Sequence, residues 1–301
     1  MQDNNEGPIA QLVELPAHNR MVRGSNPLGP TNKFAASVRL YFYRGADMII
    51  IKNKEQIDGI RKASIIAANT LKYIEPFIVE GVNTEQLNQL CHDFMVQNNA
   101  IPATLNYHGF PKSICSSINN VVCHGIPSIK DVLKNGDIIN IDVTAIHEGY
   151  FGDCSKTYIV GKANPKITEF VSITETAMNL AIKALKPGNL LSIIGSTIQT
   201  YVEQFSYSVV RDYGGHGVGL HFHEDPHVSH FHNKENEIIL KKGMIFTVEP
   251  MINMSKNWRV VTSKKDGWTV RTKDKSLSAQ FEHTVLITSD SYEILTLPDE
   301  G

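Results

Sequence analysis

The stretch GDIINIDVTAIHEGYFGDCSKTYIV, residues 136–160, decides how the rest of the chain is organised. It holds two runs rich in β-branched residues on either side of His147-Glu148-Gly149, a pattern typical of two strands joined by a tight turn. Asp142 lies in the first run and Asp153 in the second. A two-residue turn would place both carboxylates on one face, as direct or diagonal neighbours roughly 5 to 8 Å apart at Cβ.

Two carboxylates side by side in an apolar sheet repel each other and are costly to desolvate. A pair of divalent cations between them would relieve both costs, because one carboxylate can bridge two ions while the other chelates one. The alternative is that each Asp lies at an exposed strand end, as most aspartates in strands do. The hairpin alone does not decide between the two interpretations.

Composition describes an ordinary soluble globular protein: 301 residues, 42% apolar and 20% charged. A net charge of −2 gives no reason to expect a nucleic acid or an anionic membrane as partner. No run approaches the roughly eighteen apolar residues that cross a bilayer. The four cysteines lack CxxC spacing, which argues against a zinc knuckle or a disulfide scaffold and favours a reducing cytoplasm; they are Cys91, Cys115, Cys123 and Cys154.

Residues 1–47 differ from everything that follows. They hold several prolines and show no sustained period of 2 or 3.6, and they lack the apolar core of a signal peptide. We expect an irregular extension that is disordered or absent from the mature protein, with the folded domain beginning at Met48 and covering residues 48–301.

From Lys52 onward the pattern becomes regular and repeats. Three- and four-residue spacing of apolar side chains predicts a helix ending near Pro76, and Asn83 with Gln86 predicts a capping box that opens a second helix. After the hairpin, a third helix stopped by Pro187 and a fourth helix up to Phe205 follow, then strands over 207–211, 244–248, 282–288 and 294–297. Two helix-helix-strand blocks predict an α+β fold whose pseudo-symmetric halves enclose a central antiparallel sheet.

The second half of the chain holds further candidate ligands. His216 lies among four glycines, which let the backbone approach whatever the imidazole binds, and Glu249 and Glu282 lie beside strand-like apolar residues. Each glutamate could equally be a capped or paired surface residue. Three other histidines, His227, His230 and His232, are interpreted as solvated loop residues. Four carboxylates with one imidazole balance two divalent ions and suit Mn²⁺, Fe²⁺, Co²⁺ or Zn²⁺ without choosing among them.

Five ordered motifs resemble type I methionine aminopeptidase, and the likeness extends from Met48 to about Leu297. They are NYHGFPKSICSSINNVVCHGIP (106–127), NIDVTAIHEGYFGDCSKTY (140–158), GGHGVGLHFHEDP (214–226), FTVEPMIN (246–253), and KDGWTV with SLSAQFEHTVLIT (265–270 and 276–288). The resemblance implies the pita-bread fold. It also implies a cytoplasmic, metal-dependent exopeptidase that removes the initiator methionine from nascent polypeptides, with a preference for a small second residue.

The resemblance also implies a role for each candidate ligand. Asp142 matches the aspartate that chelates one metal, Asp153 and Glu282 match the bridging carboxylates, and His216 and Glu249 match the ligands of the other metal. Glu249 would accept a proton from the nucleophile. By the same resemblance, His124 contacts the nitrogen of the scissile bond and His223 holds its carbonyl oxygen as charge develops.

The methionine pocket and a monovalent cation site are likewise implied by resemblance. The pocket positions are Tyr107, Phe110, Cys115, Phe222 and Trp268. Without the resemblance, each of these residues would be interpreted as core packing. Asn119, Val121 and Ser278 resemble a site for Na⁺ or K⁺. Residues 1–47 contain no cysteine, which argues against the cysteine-rich ribosome-docking extension of some relatives.

Two other functions remain open at this point. An X-Pro aminopeptidase or prolidase shares the fold and a similar metal set, but such enzymes usually carry a large additional N-terminal domain. A binding protein that has lost its metals would have substituted ligands, and here none is substituted. We expect a monomer that acts near the ribosome on polypeptide N-termini.

Overall fold

The computed structural model describes residues 49–233 and 237–299. The expectations about residues 1–47 and the domain start at Met48 lie outside these ranges. Within them, no helix combines the length and the apolar character needed to cross a membrane.

The predicted hairpin consists of two ten-residue strands, β4 (Ile138–His147) and β5 (Tyr150–Ile159). Its two turn residues, Glu148 and Gly149, have φ of 52° and 84°. Two positive φ values in a two-residue turn are typical of type I′, whose twist matches that of the flanking strands. Thr144 lies directly opposite Asp153, and Asp142 lies opposite Ser155. The register therefore places Asp142 and Asp153 diagonally on one face, as predicted.

The other face of the hairpin is apolar and packs beneath two helices, α1 (Lys54–Ile74) and α2 (Thr84–Gln97). The predicted capping box at the start of α2 is confirmed, because Asn83 and Gln86 exchange both side-chain-to-backbone hydrogen bonds. The strands β1 (Ile101–Pro102) and β2 (Cys115–Ile118) pair with opposite ends of one edge of β4. The hairpin thus has one face in an apolar core and one face of polar side chains.

Glycine allows α1 to lie directly on β5. A Cβ at Gly152 would approach the Ser64 backbone nitrogen to 2.2 Å and its Cα to 2.4 Å. Both are backbone atoms of the helix, so any side chain at residue 152 would push α1 away from the sheet. This close approach fixes the height of α1 above the strand that carries Asp153.

The second block repeats the arrangement with α3 (Pro165–Lys183) and α4 (Ile193–Val202). Their apolar faces share one large core with the strands that follow. The helix predicted to reach Phe205 ends at Val202 and continues as a single 3₁₀ turn, Glu203–Phe205. These outcomes confirm the two helix-helix-strand blocks that the sequence predicts.

The remaining strands are short and antiparallel, and all but the first of them belong to the second block. They are β3 (Val121–Cys123), β6 (Ser208–Val209), β7 (Gly215–Gly217), β8 (Glu224–Val228), β9 (Ile245–Val248), β10 (Met251–Asn253), β11 (Val260–Thr262), β12 (Val270–Thr272), β13 (Ser278–Gln280), β14 (His283–Ile287) and β15 (Tyr292–Ile294). One sheet has the order β15-β14-β9-β7-β8, and two smaller sheets have the orders β13-β10-β6 and β11-β12-β3. The strand predicted over 207–211 is only two residues long, and the one predicted over 294–297 lies earlier, at Tyr292–Ile294.

The polar face of the hairpin is the seam between the two blocks. The Gln280 carbonyl accepts hydrogen bonds from Asn140 Nδ2 (2.9 Å) and Thr157 Oγ1 (2.6 Å). The Glu282 N–H donates to the Ser155 carbonyl at 2.9 Å, and Thr284 Oγ1 donates to the Asp153 carbonyl at 2.7 Å. Because these bonds lie beside Asp153, they bring β13 and β14 of the second block against the carboxylates of the hairpin.

Candidate metal centre

Asp142 and Asp153 project from the polar face of the hairpin toward the second block. Thr144 lies on the same face, and its Oγ1 donates to Asp153 Oδ1 at 2.8 Å. That bond fixes the rotation of one carboxylate and leaves its other oxygen, Oδ2, directed toward His216. Thr144 of β4 therefore orients the candidate ligand Asp153, which lies opposite it on β5.

His216 comes from β7, which lies between β8 and β9. A Cβ at Gly217 would meet the Asp225 carbonyl oxygen at 2.2 Å, so the neighbouring strand can approach only because glycine follows the histidine. His216 Nδ1 lies 3.0 Å from the Gly217 carbonyl oxygen. A carbonyl oxygen can only accept, so Nδ1 carries the proton and Nε2 presents a lone pair.

Glu249 follows β9 and Glu282 precedes β14, so paired strands bring both glutamates to the seam. Glu249 Oε1 accepts from Thr247 Oγ1 at 2.7 Å, and Glu249 Oε2 accepts from Gln280 Nε2 at 3.2 Å. Thr247 Oγ1 also accepts the His216 N–H at 3.0 Å. The Thr247 hydroxyl thus fixes both the backbone of His216 and the carboxylate of Glu249.

These side chains converge at one buried point. Ligand atoms of Asp153, His216 and Glu282 all lie within 4.8 Å of one another. His216 Nε2 is 3.6 Å from Asp153 Oδ2 and 3.5 Å from Glu249 Oε1. Asp142 is not part of that three-residue group, but it lies diagonal to Asp153 and its charge acts on the other three carboxylates. The fold therefore brings all five predicted ligands to one place.

Burial and mutual repulsion oppose the ionisation of these carboxyl groups in the absence of a cation. Burial raises the pKa of Asp142 to about 7. Burial and the charges of the other carboxylates raise the pKa of Asp153 and of Glu282 well above their ordinary values. Burial also raises the pKa of Glu249, against the hydrogen bond from Thr247. In contrast, burial lowers the pKa of His216 to about 4, so its imidazole is neutral near pH 7.

The donor set fits a bound metal. Within residues 49–233 and 237–299, no Lys or Arg forms an ion pair with the four carboxylates. A neutral Nε2 lone pair that faces two carboxylate oxygens at 3.5 and 3.6 Å needs a cation or a carboxyl proton between them, and a divalent cation satisfies all three groups at once. Oxygen donors with one imidazole are the ligands that divalent Mn, Fe, Co and Zn accept.

An aromatic rim lies beside the carboxylates. Phe222 and Tyr107 rings are 4.7 Å apart, and Phe110 meets Trp268 edge to face at 5.3 Å. Cys115 pairs directly with Asp142 across β2 and β4 and is buried. Two of the five predicted pocket residues thus lie beside the candidate ligands: Cys115 opposite Asp142, and Phe222 with its ring 6.4 Å from that of His216.

The two further predicted histidines adjoin the rim. His223 is exposed, its Nδ1 shares a hydrogen bond with the Tyr107 hydroxyl at 2.9 Å, and its ring lies 4.2 Å from that of His216. His124 follows β3 in a left-handed conformation with φ of 54°. Its ring lies 6.1 Å from Trp268, and burial lowers its pKa to about 4. His124 thus comes from before the hairpin and His223 from the second block, and the two are close enough for His124 to contribute to the lowered pKa of His223.

The residues predicted for a monovalent cation lie at one end of the seam. The Asn119 carbonyl accepts the Ser278 N–H at 2.9 Å, and Ser278 Oγ donates to the Ile252 carbonyl at 3.2 Å. Val121 pairs with Arg271 across β3 and β12. The cation itself remains a prediction.

The interpretation of three histidines as solvated loop residues is wrong for two of them. His230 is fully buried, and its Nε2 accepts the Glu249 N–H at 3.0 Å. His227 lies in β8 opposite His216 and is half-buried. His232 is exposed, as expected. His230 therefore supports the backbone of a candidate ligand, and burial together with His227 and His216 lowers its pKa to about 3.

Sequence reasoning also missed the residues that orient the ligands. Thr144, Thr247 and Gln280 each hydrogen-bond a candidate carboxylate. Their one available signal is spacing: Thr144 and Thr247 each lie two residues from a predicted ligand, which places both on the ligand's face of a strand.

Comparison with known proteins assigns the class. The model of metallopeptidase family M24 matches residues 58–289. The chain belongs to this family, and the predicted family, pita-bread fold and metal-dependent peptidase class are confirmed.

Curated relatives are more specific. The chain is 52% identical over 248 residues to a methionine aminopeptidase of Buchnera aphidicola, covering 82% of this chain and 93% of that protein. It is 50% identical over 250 residues to that of Escherichia coli, covering 83% and 94%.

Solved structures agree on the fold. The crystal structure of methionine aminopeptidase from Rickettsia prowazekii superposes with a TM-score of 0.81 at 51% identity, covering 83% of this chain and 100% of that one. A prolidase from Pyrococcus furiosus superposes with a TM-score of 0.66 at 28% identity, covering 83% of this chain and 66% of that one.

Proposed function

We propose that this protein is a methionine aminopeptidase that removes the initiator methionine from new polypeptides, with a preference for a small second residue. The observation that carries the proposal is the convergence of Asp153, Glu249 and Glu282 on the neutral imidazole of His216, with Asp142 diagonal to Asp153. The roughly half-identical relatives named methionine aminopeptidase support the substrate.

Five residues would hold two divalent ions. Asp142 and Asp153 come from the hairpin, and His216, Glu249 and Glu282 come from the second block. The four carboxylates supply the charge that balances two divalent cations. Bound there, such ions lower the pKa of water and polarise a peptide carbonyl.

Glu249 is the proton acceptor in this proposal. Its two oxygens are held by Thr247 Oγ1 and Gln280 Nε2, and its backbone N–H is held by His230. A carboxylate held at both oxygens, on a backbone that is itself held, keeps one geometry toward an attacking water, which is the condition for efficient proton transfer.

Two imidazoles complete the machinery around the scissile bond. We assign His124 to the nitrogen of that bond and His223 to its carbonyl oxygen. The His124 imidazole is neutral near pH 7 because burial lowers its pKa to about 4, so it can donate or accept without carrying a charge into the cleft. The hydrogen bond to Tyr107 orients His223 toward the developing charge.

The aromatic rim supplies the specificity. The side chains of Tyr107, Phe110, Phe222, Trp268 and Cys115 make an apolar, polarisable wall suited to an unbranched thioether. Because one methylene is worth only about 1 to 3 kcal/mol, unbranched analogues such as norleucine should be accepted better than branched residues.

The partners and the location follow from this activity. The substrates are nascent polypeptide N-termini, so we place the protein in the cytoplasm near ribosomes, as a monomer. Asn119, Val121 and Ser278 are proposed to hold Na⁺ or K⁺ at the end of the seam.

The test uses the full chain reconstituted in turn with Mn²⁺, Co²⁺, Fe²⁺ and Zn²⁺ and assayed on Met-Ala-Ser and Ala-Pro peptides. We expect release of methionine from the first peptide and no cleavage of the second. Cleavage of the proline peptide alone would assign the prolidase activity instead. The matched control replaces Met by Val in the first peptide, which should be cleaved at least tenfold more slowly.

A further inference from the structure

A buried ion pair joins the chain just before α1 to the start of β8. Lys52 Nζ contacts Glu224 Oε2, and the two side chains are only 1% and 2% exposed. Burial lowers the pKa of Lys52, and the Glu224 carboxylate opposes that shift. Removing two charges from water is costly, so a pair this deeply buried must be fixed by further hydrogen bonds.

The Glu224 carboxylate closes the loop that precedes it. Its Oε1 accepts the Leu220 N–H at 2.6 Å and the His221 N–H at 2.9 Å. Because Oε2 contacts Lys52, both oxygens of the Glu224 carboxylate have partners. The backbone of residues 220–224 therefore curves around this one carboxylate. The backbone of the loop has one further internal hydrogen bond, from the Gly219 N–H to the His221 carbonyl at 3.1 Å.

The loop carries two of the residues assigned to the reaction. His223 hydrogen-bonds Tyr107 and stacks near His216, whereas Phe222 packs between Tyr107 at 4.7 Å and Phe151 at 6.1 Å. Both precede Glu224 directly in the chain. A shift of the Glu224 backbone therefore moves the imidazole and the pocket aromatic together.

Lys52 is itself fixed before it meets Glu224. Its backbone N–H donates to the Gly243 carbonyl at 2.9 Å, and its Nζ donates to the Ile50 carbonyl at 3.2 Å. Gly219, just before the loop, packs closely against Ile60 and Lys52. A Cβ at this position would approach Ile60 Cδ1 to 2.3 Å and Lys52 Cε to 3.6 Å. The position of the Lys52 ammonium group is thus fixed by contacts outside the loop, and the Glu224 carboxylate binds to it there.

We propose that Lys52 is a positioning residue of the reaction, which acts through Glu224 to hold His223 and Phe222 in the cleft. This inference rests on the proposed function for the roles of those two residues. The anchoring itself does not depend on that function.

The first test measures anchoring without activity. Hydrogen exchange of the Leu220 and His221 amides is compared in the full-length protein and in Lys52→Met. We expect exchange to accelerate at least tenfold at these two amides, because the carboxylate that accepts them loses its counter-charge. Arg61→Met is the matched control: it breaks an ion pair between Arg61 and Glu293 that does not touch the loop, and should leave both amides unchanged.

The second test measures positioning through the kcat and KM of metal-reconstituted protein on Met-Ala-Ser. Lys52→Met should lower kcat about 10- to 100-fold, the loss typical of a displaced reacting group. In a His223→Ala background the same substitution should lower kcat less than threefold. Equal losses in both backgrounds would overturn the proposal, because Lys52 would then act independently of His223.

A second variant keeps the proposal testable if Lys52→Met does not fold. Lys52→Met with Glu224→Gln removes both charges but leaves an amide oxygen for Leu220 and His221. Faster exchange at these amides and a lower kcat are expected, because a neutral acceptor is weaker than a carboxylate. Unchanged exchange in the variant that folds would overturn the inference. A wild-type protein inactive on Met-Ala-Ser would refute the proposed function, while the exchange test would still decide whether Lys52 anchors the loop.

Discussion

Replacing Asp142 by Asn should stabilise the metal-free protein while destroying its activity. Asp142 lies diagonal to Asp153, beside three buried carboxylates, and desolvation raises its pKa from 3.8 to about 7. A folded-state pKa above the unfolded value means that ionising this carboxyl group opposes folding. The cost is absent below about pH 4, grows as pH rises and is complete once pH passes the folded pKa.

The magnitude follows from that shift. At about 1.36 kcal/mol for each pKa unit, the shift of Asp142 corresponds to about 4 kcal/mol of stability lost at pH 8. At pH 5.5 the folded protein keeps the proton, and the loss is only about 2 kcal/mol. Asparagine carries no charge but still has a buried amide to satisfy, so we expect a gain of about 2 to 4 kcal/mol at pH 8.

The assay is thermal and urea unfolding in EDTA at pH 8 and at pH 5.5. For a domain of this size the gain corresponds to a rise in Tm of roughly 5 to 15 °C at pH 8. The advantage should shrink by about 2 kcal/mol at pH 5.5. The buried histidines also titrate in this range, but both proteins share them and they cancel in the difference.

The control variant is Asp290→Asn, an exposed aspartate away from the cluster. It should change the free energy of unfolding by less than about 0.5 kcal/mol at either pH. An Asp142→Asn protein that is less stable than wild type in EDTA at pH 8, or whose gain is the same at both pH values, would refute the reasoning. With metal present the order should reverse, because the variant lacks one ligand.

Three other substitutions test the site and the fold. Glu249→Gln should lower turnover by about 10² to 10⁴-fold with an unchanged circular dichroism spectrum, because the amide keeps the size of the side chain but cannot accept the proton; near-wild-type turnover would exclude Glu249 as the base. Thr247→Val should lower stability by about 1 to 3 kcal/mol in urea unfolding, since the His216 N–H loses its acceptor, whereas Thr247→Ser should restore most of it. Gly152→Ala should cost about 3 kcal/mol or more in thermal unfolding and lower activity, because the methyl group would displace α1 from the strand bearing Asp153; a cost below about 1 kcal/mol would show that α1 can move freely.

The hairpin was predictable because its evidence is local. Period-2 alternation and a two-residue turn fix the register, and the register fixes which face Asp142 and Asp153 share. The capping box at Asn83 is equally local, since both hydrogen bonds lie within four residues. Candidate ligands in the second half could be chosen because carboxylates amid apolar strand residues are rare.

The residues that support the ligands were not predictable in the same way. His230 lies in a stretch rich in histidine and polar residues, and only the fold shows that it accepts the Glu249 N–H and is buried. Strands of three residues, such as β10 and β13, are too short to show a period. The pairing of Lys52 with Glu224 joins positions 172 residues apart, a distance over which local pattern carries no information.

The seam at Gln280 has a consequence for how the protein comes apart. Its carbonyl is bonded by Asn140 and Thr157 of the hairpin, while its side chain holds Glu249 of the second block. The two apolar cores lie on either side, so each half can complete its own core yet neither contains a whole set of ligands. Bound cations would then act as a cross-link between the halves, and chelation should loosen this junction before it unfolds either core. Fragments cut in the connection between β5 and α3 should accordingly reassociate more tightly when metal is supplied.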